Sequence, residues 1–117
     1  MVLNSADETF VRKLQEVLPA SAFLADPAGF LIEARGRWSG QGVVVSPASV
    51  DEVSRLMAVC FDTFTTVVPY SGGTGLVGGQ TAVEGPVPVI LSLERMNKIR
   101  SVFVDENVIE VDAGVIL

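Results

Sequence analysis

The chain contains 117 residues, of which 49% are apolar, so it suits one small globular domain or part of a larger one. Its formal net charge of −6 argues against a nucleic-acid surface, which needs clustered Lys and Arg side chains. With no histidine and a single cysteine, Cys60, the sequence predicts neither an internal disulfide nor a metal site. No apolar run approaches the roughly 20 residues that span a bilayer, and the amino terminus does not resemble a secretory signal. We therefore expect a cytoplasmic protein without a transmembrane segment.

Two helices are predicted from capping residues and apolar spacing. Ser5 and Glu8 fit a capping box in front of an amphipathic segment that ends at Pro19. Ser49 and Glu52 fit a second capping box, and apolar residues recur behind it at helical spacing. For the first helix, packing against a neighbouring element is a sufficient role.

Short apolar runs predict the strands. The β-branched run 43–45 is typical of a strand buried on both faces, and residues 65–68 form a second such run. With the second helix between them they make a β-α-β unit, whose strands should be parallel with a right-handed crossover. Residues 87–93 predict a third strand, and the runs 102–104 and 108–111 predict a hairpin.

Two other segments carry weaker signals. The irregular stretch 26–42 contains the basic and aromatic group 34–38, which we interpret as a surface loop with Trp38 as its packing anchor. The sequence closes on the apolar run 115–117 with no polar tail, which leaves strand hydrogen bonds unpaired and predicts a truncated fragment.

The stretch 67–80, VVPYSGGTGLVGGQ, carries the clearest functional signal. Glycine lets the main chain adopt unusual dihedral angles and approach a ligand closely. Successive N–H groups that turn into one concavity make an anion site, and open α/β sheets bind ligands at the carboxyl ends of their strands. We therefore interpret this stretch as a pyrophosphate-binding loop with five glycines: Gly72, Gly73, Gly75, Gly78 and Gly79.

Two rival phosphate motifs fit less well. The spacing Gly73-x-Gly75-x-x-Gly78 matches a dinucleotide fingerprint, but the following residues GQTAVEGP are too short and too rich in Gly and Pro for the required helix. A P-loop needs a lysine after its glycines, and no Lys or Arg occurs between residues 55 and 95. A bound phosphate must therefore be held by backbone N–H groups and hydroxyls. A stand-alone phosphate-binding module without redox chemistry and a glycine turn that binds nothing remain as alternatives.

Several motifs in the right order resemble a known family. They are Pro69–Gly79, Leu91–Asn97 and Asp112–Val115, extended upstream by Arg35–Trp38 and Ser46–Val53. Together they are similar to the flavin-binding half of FAD-linked oxidases of the vanillyl-alcohol oxidase type, also called PCMH-type. Within that superfamily the likeness is to the D-lactate, glycolate and D-2-hydroxyglutarate dehydrogenase branch, and it covers about residues 30–117.

The resemblance implies an α/β fold, α+β overall, in which FAD lies between two subdomains. The first is a small parallel β-α-β sheet with helices, and the second is mainly antiparallel. We expect a lead-in with one helix over residues 1–40, the first subdomain over 41–101 with its pyrophosphate loop at 69–80, and the truncated start of the second over 102–117.

The resemblance also implies the residues that contact the cofactor. Relatives that attach FAD covalently through this loop have histidine where Thr74 stands, so we expect non-covalent FAD. This chain differs from many relatives at Tyr70 and Ser71, and it lacks the glycine usual at the end of the second helix, which should cost some local stability. The expected cofactor-binding residues are Pro69, Ser71, Gly72, Gly73, Thr74, Gly75, Leu76, Gly78, Gly79, Asn97 and Gly114.

The implied reaction, in the full-length parent, is oxidation of a small D-2-hydroxy acid to the 2-oxo acid. The flavin supplies the redox chemistry, and no catalytic residue is expected within this segment. The segment alone should bind FAD weakly or not at all, and it should self-associate through its apolar edge at residues 108–117.

Overall fold

Three parallel strands form the sheet around which the protein is built, in a computed structural model that describes residues 1–117. Strands β1 (Val43–Val45), β2 (Val67–Tyr70) and β3 (Val89–Ser92) lie in the order β1-β3-β2. Both outer strands pair in parallel with β3, which confirms the prediction of parallel strands. They do not pair with each other, because the third strand of the sequence lies between them. The handedness of the crossover stays a prediction.

Helix α1 (Glu8–Val17) begins two residues later than the capping-box prediction requires. Its N-cap is Asp7, whose side chain accepts a hydrogen bond from the N–H of Phe10 at 2.9 Å. The prediction that Ser5 caps this helix is therefore wrong, and Ser5 Oγ instead accepts a hydrogen bond from the N–H of Val87 at 3.0 Å. The N–H of Ala6 also donates to the carbonyl of Val87, at 2.8 Å. The residues before α1 are therefore held against the segment before β3.

Helix α2 (Val50–Asp62) begins where the sequence predicts. The side chain of Ser49 accepts a hydrogen bond from the N–H of Glu52 at 3.2 Å. The Glu52 carboxylate accepts one from the N–H of Ala48 at 2.8 Å. These two bonds satisfy donors that a helix amino terminus otherwise leaves without partners.

The carboxyl end of α2 holds a phenylalanine in a position that usually belongs to glycine. Phe64 has a φ of 52°, in the left-handed region. Its N–H bonds to the carbonyl of Phe61 at 3.3 Å, and the N–H of Thr65 bonds to the carbonyl of Cys60 at 2.9 Å. This pair of bonds is the Schellman arrangement, in which glycine is the usual left-handed residue. The energetic cost expected for the missing glycine stays a prediction.

One apolar core joins both helices to the parallel sheet. Leu14 of α1 and Leu56 of α2 are completely buried, and complete burial of such a side chain stabilises the fold by about 1.5–3 kcal/mol. The core therefore fixes β1 and β3, and β2, from which the glycine-rich loop departs, is held through its pairing with β3. Its ten buried members are Ala6, Phe10, Leu14, Leu18, Ala22, Val45, Leu56, Cys60, Val89 and Leu91.

A separate antiparallel pair follows the parallel sheet. Strands β4 (Ile99–Phe103) and β5 (Val108–Val111) pair around a turn in which Asn107 has a φ of 53°, which confirms the predicted hairpin with a longer first strand. Apolar side chains of this hairpin, such as Val102, are exposed. The proposed subdomain boundaries at residues 40 and 101 stay predictions. Neither helix is long and apolar enough to cross a membrane.

Candidate pyrophosphate-binding site

The glycine-rich loop, residues 71–80, leaves the carboxyl end of β2 and lies on the surface. None of its residues is buried, and Val77 is 93% exposed. Pro69 sits within β2 opposite Leu91 of β3, so it sets the direction in which the chain enters the loop. This position, at the carboxyl edge of a parallel sheet, is where α/β proteins bind their ligands.

The loop presents an excess of hydrogen-bond donors. None of the backbone N–H groups of residues 71–80 donates to an acceptor within the chain. Several of the loop carbonyls, by contrast, already accept hydrogen bonds from the protein. Because unpaired N–H groups carry partial positive charge, such a segment favours an anionic ligand that accepts several hydrogen bonds at once.

Gln80 holds the first half of the loop. Its Nε2 donates to the carbonyls of Gly73 and Gly75, both at 3.3 Å. The N–H of Thr81 donates to the carbonyl of Gly78 at 3.0 Å and closes the second half. These bonds occupy backbone carbonyls and leave the backbone N–H groups of the loop free, so the loop surface presents mainly hydrogen-bond donors.

Gly73 has no room for a side chain. Its φ is +67°, and a Cβ atom there would overlap the hydroxyl and ring of Tyr70. The ring of Tyr70 is itself held edge-on by Phe30, with 5.0 Å between the ring centroids. Tyr70 therefore supports the loop from below.

Gly79, unlike Gly73, has room for a side chain. A Cβ atom at Gly79 would meet no atom of the chain within 4 Å, and its φ is not positive. Nothing within this chain therefore requires glycine at that position. A ligand that lies close to the backbone there would require it.

The segment after β5 lies against the start of the loop. Ser71 Oγ donates to the carbonyl of Ala113 at 2.7 Å, and Ile116 Cδ1 would lie 3.3 Å from a Cβ atom on Gly72. Between them is a groove of about 330 Å³, lined by loop and carboxyl-terminal residues. Its lining residues are Ser71, Gly72, Thr74, Val115, Ile116 and Leu117.

The two predicted residues outside the loop have different surroundings. A Cβ atom on Gly114 would overlap the carbonyl of Leu93, and the N–H of Gly114 donates to the carbonyl of Met96 at 2.9 Å. Close backbone packing therefore already requires this glycine. Asn97 is exposed, and its side chain makes no hydrogen bond within the chain. The contacts of both residues with a cofactor stay predictions, as do those of the loop.

Sequence reasoning missed the residues that support the loop from outside it. Arg37 Nη2 donates to the carbonyl of Leu76 at 3.3 Å, and Arg37 is paired with the buried carboxylate of Glu33. The hydrogen bond from Arg37 lowers the pKa of Glu33 below its ordinary value, against the effect of burial. The sequence marked Arg37 as part of the motif Arg35–Trp38 but did not reveal this role, because the loop that Arg37 contacts lies about forty residues away.

Comparison with known proteins identifies the class. A family model described as an FAD binding domain matches residues 42–117. Since this match covers more than half of the chain, the chain belongs to that family of FAD-binding domains. The family expected from the sequence, the α/β fold and FAD as the cofactor are confirmed.

Relatives of known activity cover the chain but extend far beyond it. The D-2-hydroxyglutarate–pyruvate transhydrogenase of Saccharomyces cerevisiae is 33% identical over 120 residues, which are 99% of this chain and 24% of that protein. The D-lactate dehydrogenase of Anaerostipes hadrus is 27% identical over 121 residues, 97% of this chain and 24% of that protein. The glycolate oxidase subunit GlcD of Bacillus subtilis is 33% identical over 73 residues, 62% of this chain and 15% of that protein. The chain thus spans about a quarter or less of these relatives.

Solved structures show the same fold. An alkyldihydroxyacetonephosphate synthase superposes with a TM-score of 0.76 at 22% identity, over 98% of this chain and 24% of that one. The glucose dehydrogenase Phl p 4 superposes with a TM-score of 0.75 at 18% identity, over 92% of this chain and 24% of that one. At such identities the likeness defines the architecture alone.

Proposed function

We propose that this chain is the FAD-binding portion of a flavin-dependent dehydrogenase that oxidises a small D-2-hydroxy acid to the 2-oxo acid. The observation that carries the proposal is the excess of free N–H donors along residues 71–80. The FAD pyrophosphate needs this kind of partner on a surface that has no lysine of its own. The names of the matched relatives supply the substrate class: D-2-hydroxyglutarate, D-lactate and glycolate.

The residues present fit a non-covalently bound FAD. The loop amides would hold the pyrophosphate, and the hydroxyls of Ser71 and Thr74 border the groove beside it. Thr74 offers no nucleophile of the kind that histidine supplies in covalent attachment. Bound FAD would accept the hydride of the hydroxy acid, and the chain's own part is to bind and orient it. The proposed contacts are those of Pro69, Ser71, Gly72, Gly73, Thr74, Gly75, Leu76, Gly78, Gly79, Asn97 and Gly114.

The cellular location and the partners of this chain are the two remaining expectations. Several relatives carry the word mitochondrial in their names, so the cytoplasmic location expected from the sequence stays a prediction. We also propose that the chain, when separated from the rest of a longer protein, self-associates through the apolar residues near its carboxyl end. Ile116 and Leu117 are 73% and 97% exposed, which supports this proposal.

Gly79 allows a sharp test, since the chain alone leaves room for a side chain there. The test uses the longest natural polypeptide that carries this chain, with the visible absorbance spectrum and the FAD content per protein as readouts. Gly79→Val should leave the fold unchanged by circular dichroism and lose the flavin, because the side chain would occupy the ligand's place. Gly29→Val is the matched control, since a Cβ atom at Gly29 also meets nothing within 4 Å.

The outcomes separate the functions. Flavin that is lost in Gly79→Val and kept in Gly29→Val supports FAD binding on the loop. A colourless wild-type protein that binds inorganic pyrophosphate would favour the phosphate-binding module instead. Flavin that remains bound in both variants would refute the placement of FAD on this loop.

A further inference from the structure

A short strap, residues 31–40, lies beside the glycine-rich loop. Its two arms are joined by the bridge between Ile32 and Ser39 and by a 3.0 Å hydrogen bond from the N–H of Glu33 to the carbonyl of Trp38. The strap precedes the residues that the FAD-binding family model matches, which begin at 42.

Two side chains of the strap contact the middle of the loop. Arg37 Nη2 donates to the carbonyl of Leu76 at 3.3 Å. The Trp38 indole lies so close to Gly78 that a Cβ atom there would be 2.8 Å from Trp38 Cζ2. The Arg37 guanidinium also stacks over the Trp38 ring, 4.6 Å from its centroid. The two side chains thus act as one surface against the loop.

Glu33 holds Arg37 in this place. Its carboxylate is buried and accepts hydrogen bonds from Arg37 Nη2 at 3.1 Å, Arg37 Nε at 3.4 Å and the backbone N–H of Arg37 at 3.1 Å. A two-pronged pair of this kind sets the orientation of the guanidinium as well as its distance. Arg37 therefore reaches Leu76 from a predetermined position.

The end of the strap contacts the end of the loop. A Cβ atom on Gly40 would lie 2.7 Å from the carbonyl of Ala82 and 2.8 Å from Thr81 Cγ2. The N–H of Gln41 donates to the same Ala82 carbonyl at 2.8 Å. The strap thus contacts the segment 76–82 at both of its ends and at Gly78.

We propose that the strap sets the backbone conformation of residues 76–82, and that Glu33 and Arg37 are positioning residues for the pyrophosphate of FAD. The proposal rests on the proposed function. By occupying the carbonyl of Leu76, Arg37 fixes the orientation of the peptide unit whose N–H belongs to Val77. The direction in which this part of the loop presents its donors therefore depends on a side chain that need not touch the ligand.

Arg35 provides a matched control. It lies on the same strap, two residues from Arg37, is exposed and makes no side-chain hydrogen bond within the chain. Arg37→Gln and Arg35→Gln each remove one positive charge from the strap, but only the first removes a contact with the loop. Residues that orient the groups around a bound metal change its affinity by roughly 10- to 100-fold when replaced. By analogy we expect FAD to bind about tenfold more weakly to Arg37→Gln and unchanged to Arg35→Gln.

A second readout is independent of flavin. The N–H of Thr81 is bonded to the carbonyl of Gly78 and reports whether this part of the loop keeps its conformation. Its hydrogen exchange should be faster in Arg37→Gln and in Glu33→Gln than in Arg35→Gln. If Arg37→Gln does not fold because it leaves the buried carboxylate unpaired, Glu33→Gln/Arg37→Gln removes both charges and takes its place.

The experiment uses the longest natural polypeptide that carries this chain. Weaker FAD binding and faster Thr81 exchange in Arg37→Gln, with Arg35→Gln like the wild type, would support the proposal. Equal weakening in both arginine variants would show a simple charge effect and overturn it. Wild-type protein without FAD would refute the proposed function, and unchanged Thr81 exchange in the same samples would separately refute the hold of the strap on the loop.

Discussion

Replacing Phe64 by glycine should give a more stable protein than replacing it by alanine, the reverse of the usual order of these residues in a helix. Phe64 has a φ of 52° at the end of α2. For a residue with a Cβ atom, a left-handed conformation costs about 1–2 kcal/mol, and glycine avoids this cost. The greater freedom of glycine in the unfolded chain offsets about 0.5–1 kcal/mol of that gain. The expected net difference is about 1 kcal/mol in favour of glycine.

The phenylalanine ring explains why the comparison uses alanine rather than the native residue. Phe64 is 49% exposed and borders an apolar groove with Leu3, Met57 and Phe61. Half of the roughly 1.5–3 kcal/mol for a fully buried ring is about 1 kcal/mol. Phe64→Ala loses this packing and keeps the backbone strain. Phe64→Gly loses both, and because the two effects are similar in size and opposite in sign, the free energy of unfolding of Phe64→Gly should stay near the wild-type value.

Urea unfolding followed by far-UV circular dichroism measures the difference. Ala58, exposed in the middle of α2, is the control, because Ala58→Gly should lower the free energy of unfolding by about 1 kcal/mol. The same alanine-to-glycine change should thus have opposite signs at positions 58 and 64. A Phe64→Ala protein as stable as Phe64→Gly, or more stable, would refute the argument from backbone strain.

Three further predictions concern packing and ionisation. Gly114→Ala should destabilise the fold by about 1–3 kcal/mol in urea unfolding, because the new Cβ atom overlaps the carbonyl of Leu93. An unchanged urea midpoint would contradict this. Burial raises the pKa of Cys60 to about 11, so only about a thousandth of the Cys60 side chains are thiolate at pH 8. A thiol reagent should therefore react much faster with the protein unfolded in urea than with the folded protein. The hydrogen bond from Arg100 lowers the pKa of Asp112 below its ordinary 3.8. The ionised Asp112 therefore stabilises the folded protein at pH values above 3.8, and this stabilisation is lost as the pH falls through the lowered pKa of the folded state. Asp112→Asn should flatten this acid dependence of the unfolding free energy, and an equally steep profile would contradict it.

The sequence was sufficient for features that depend on neighbouring residues. Helix α2 begins at its predicted cap, Ser49, and the glycine-rich loop follows a strand as expected. Capping and turn chemistry operate over three or four residues, so their patterns can be read directly. The same local rule was wrong for α1, where Ser5 bonds instead to a segment 82 residues away and Asp7 takes over as the cap.

The parts of the site that escaped prediction depend on distant contacts. The pairing of Glu33 with Arg37 is local, but its role is visible only when Leu76 lies beside it. Gly114 was assigned to the cofactor, and the structure shows that backbone packing against Leu93 alone demands glycine there. One sequence cannot distinguish a glycine that leaves room for a ligand from one that leaves room for another part of the chain.

The strand order β1-β3-β2 has a consequence for how the protein folds. Neither outer strand can find its partner until β3 arrives, and β3 follows β2 only after the chain has passed through the glycine-rich loop. That loop is therefore part of the crossover that completes the sheet, as well as a surface for a ligand. Parallel pairing across such a connection requires loop closure before any strand contact repays it, which slows folding. Substitutions that stiffen the loop should therefore alter the refolding rate even in protein that never meets a flavin.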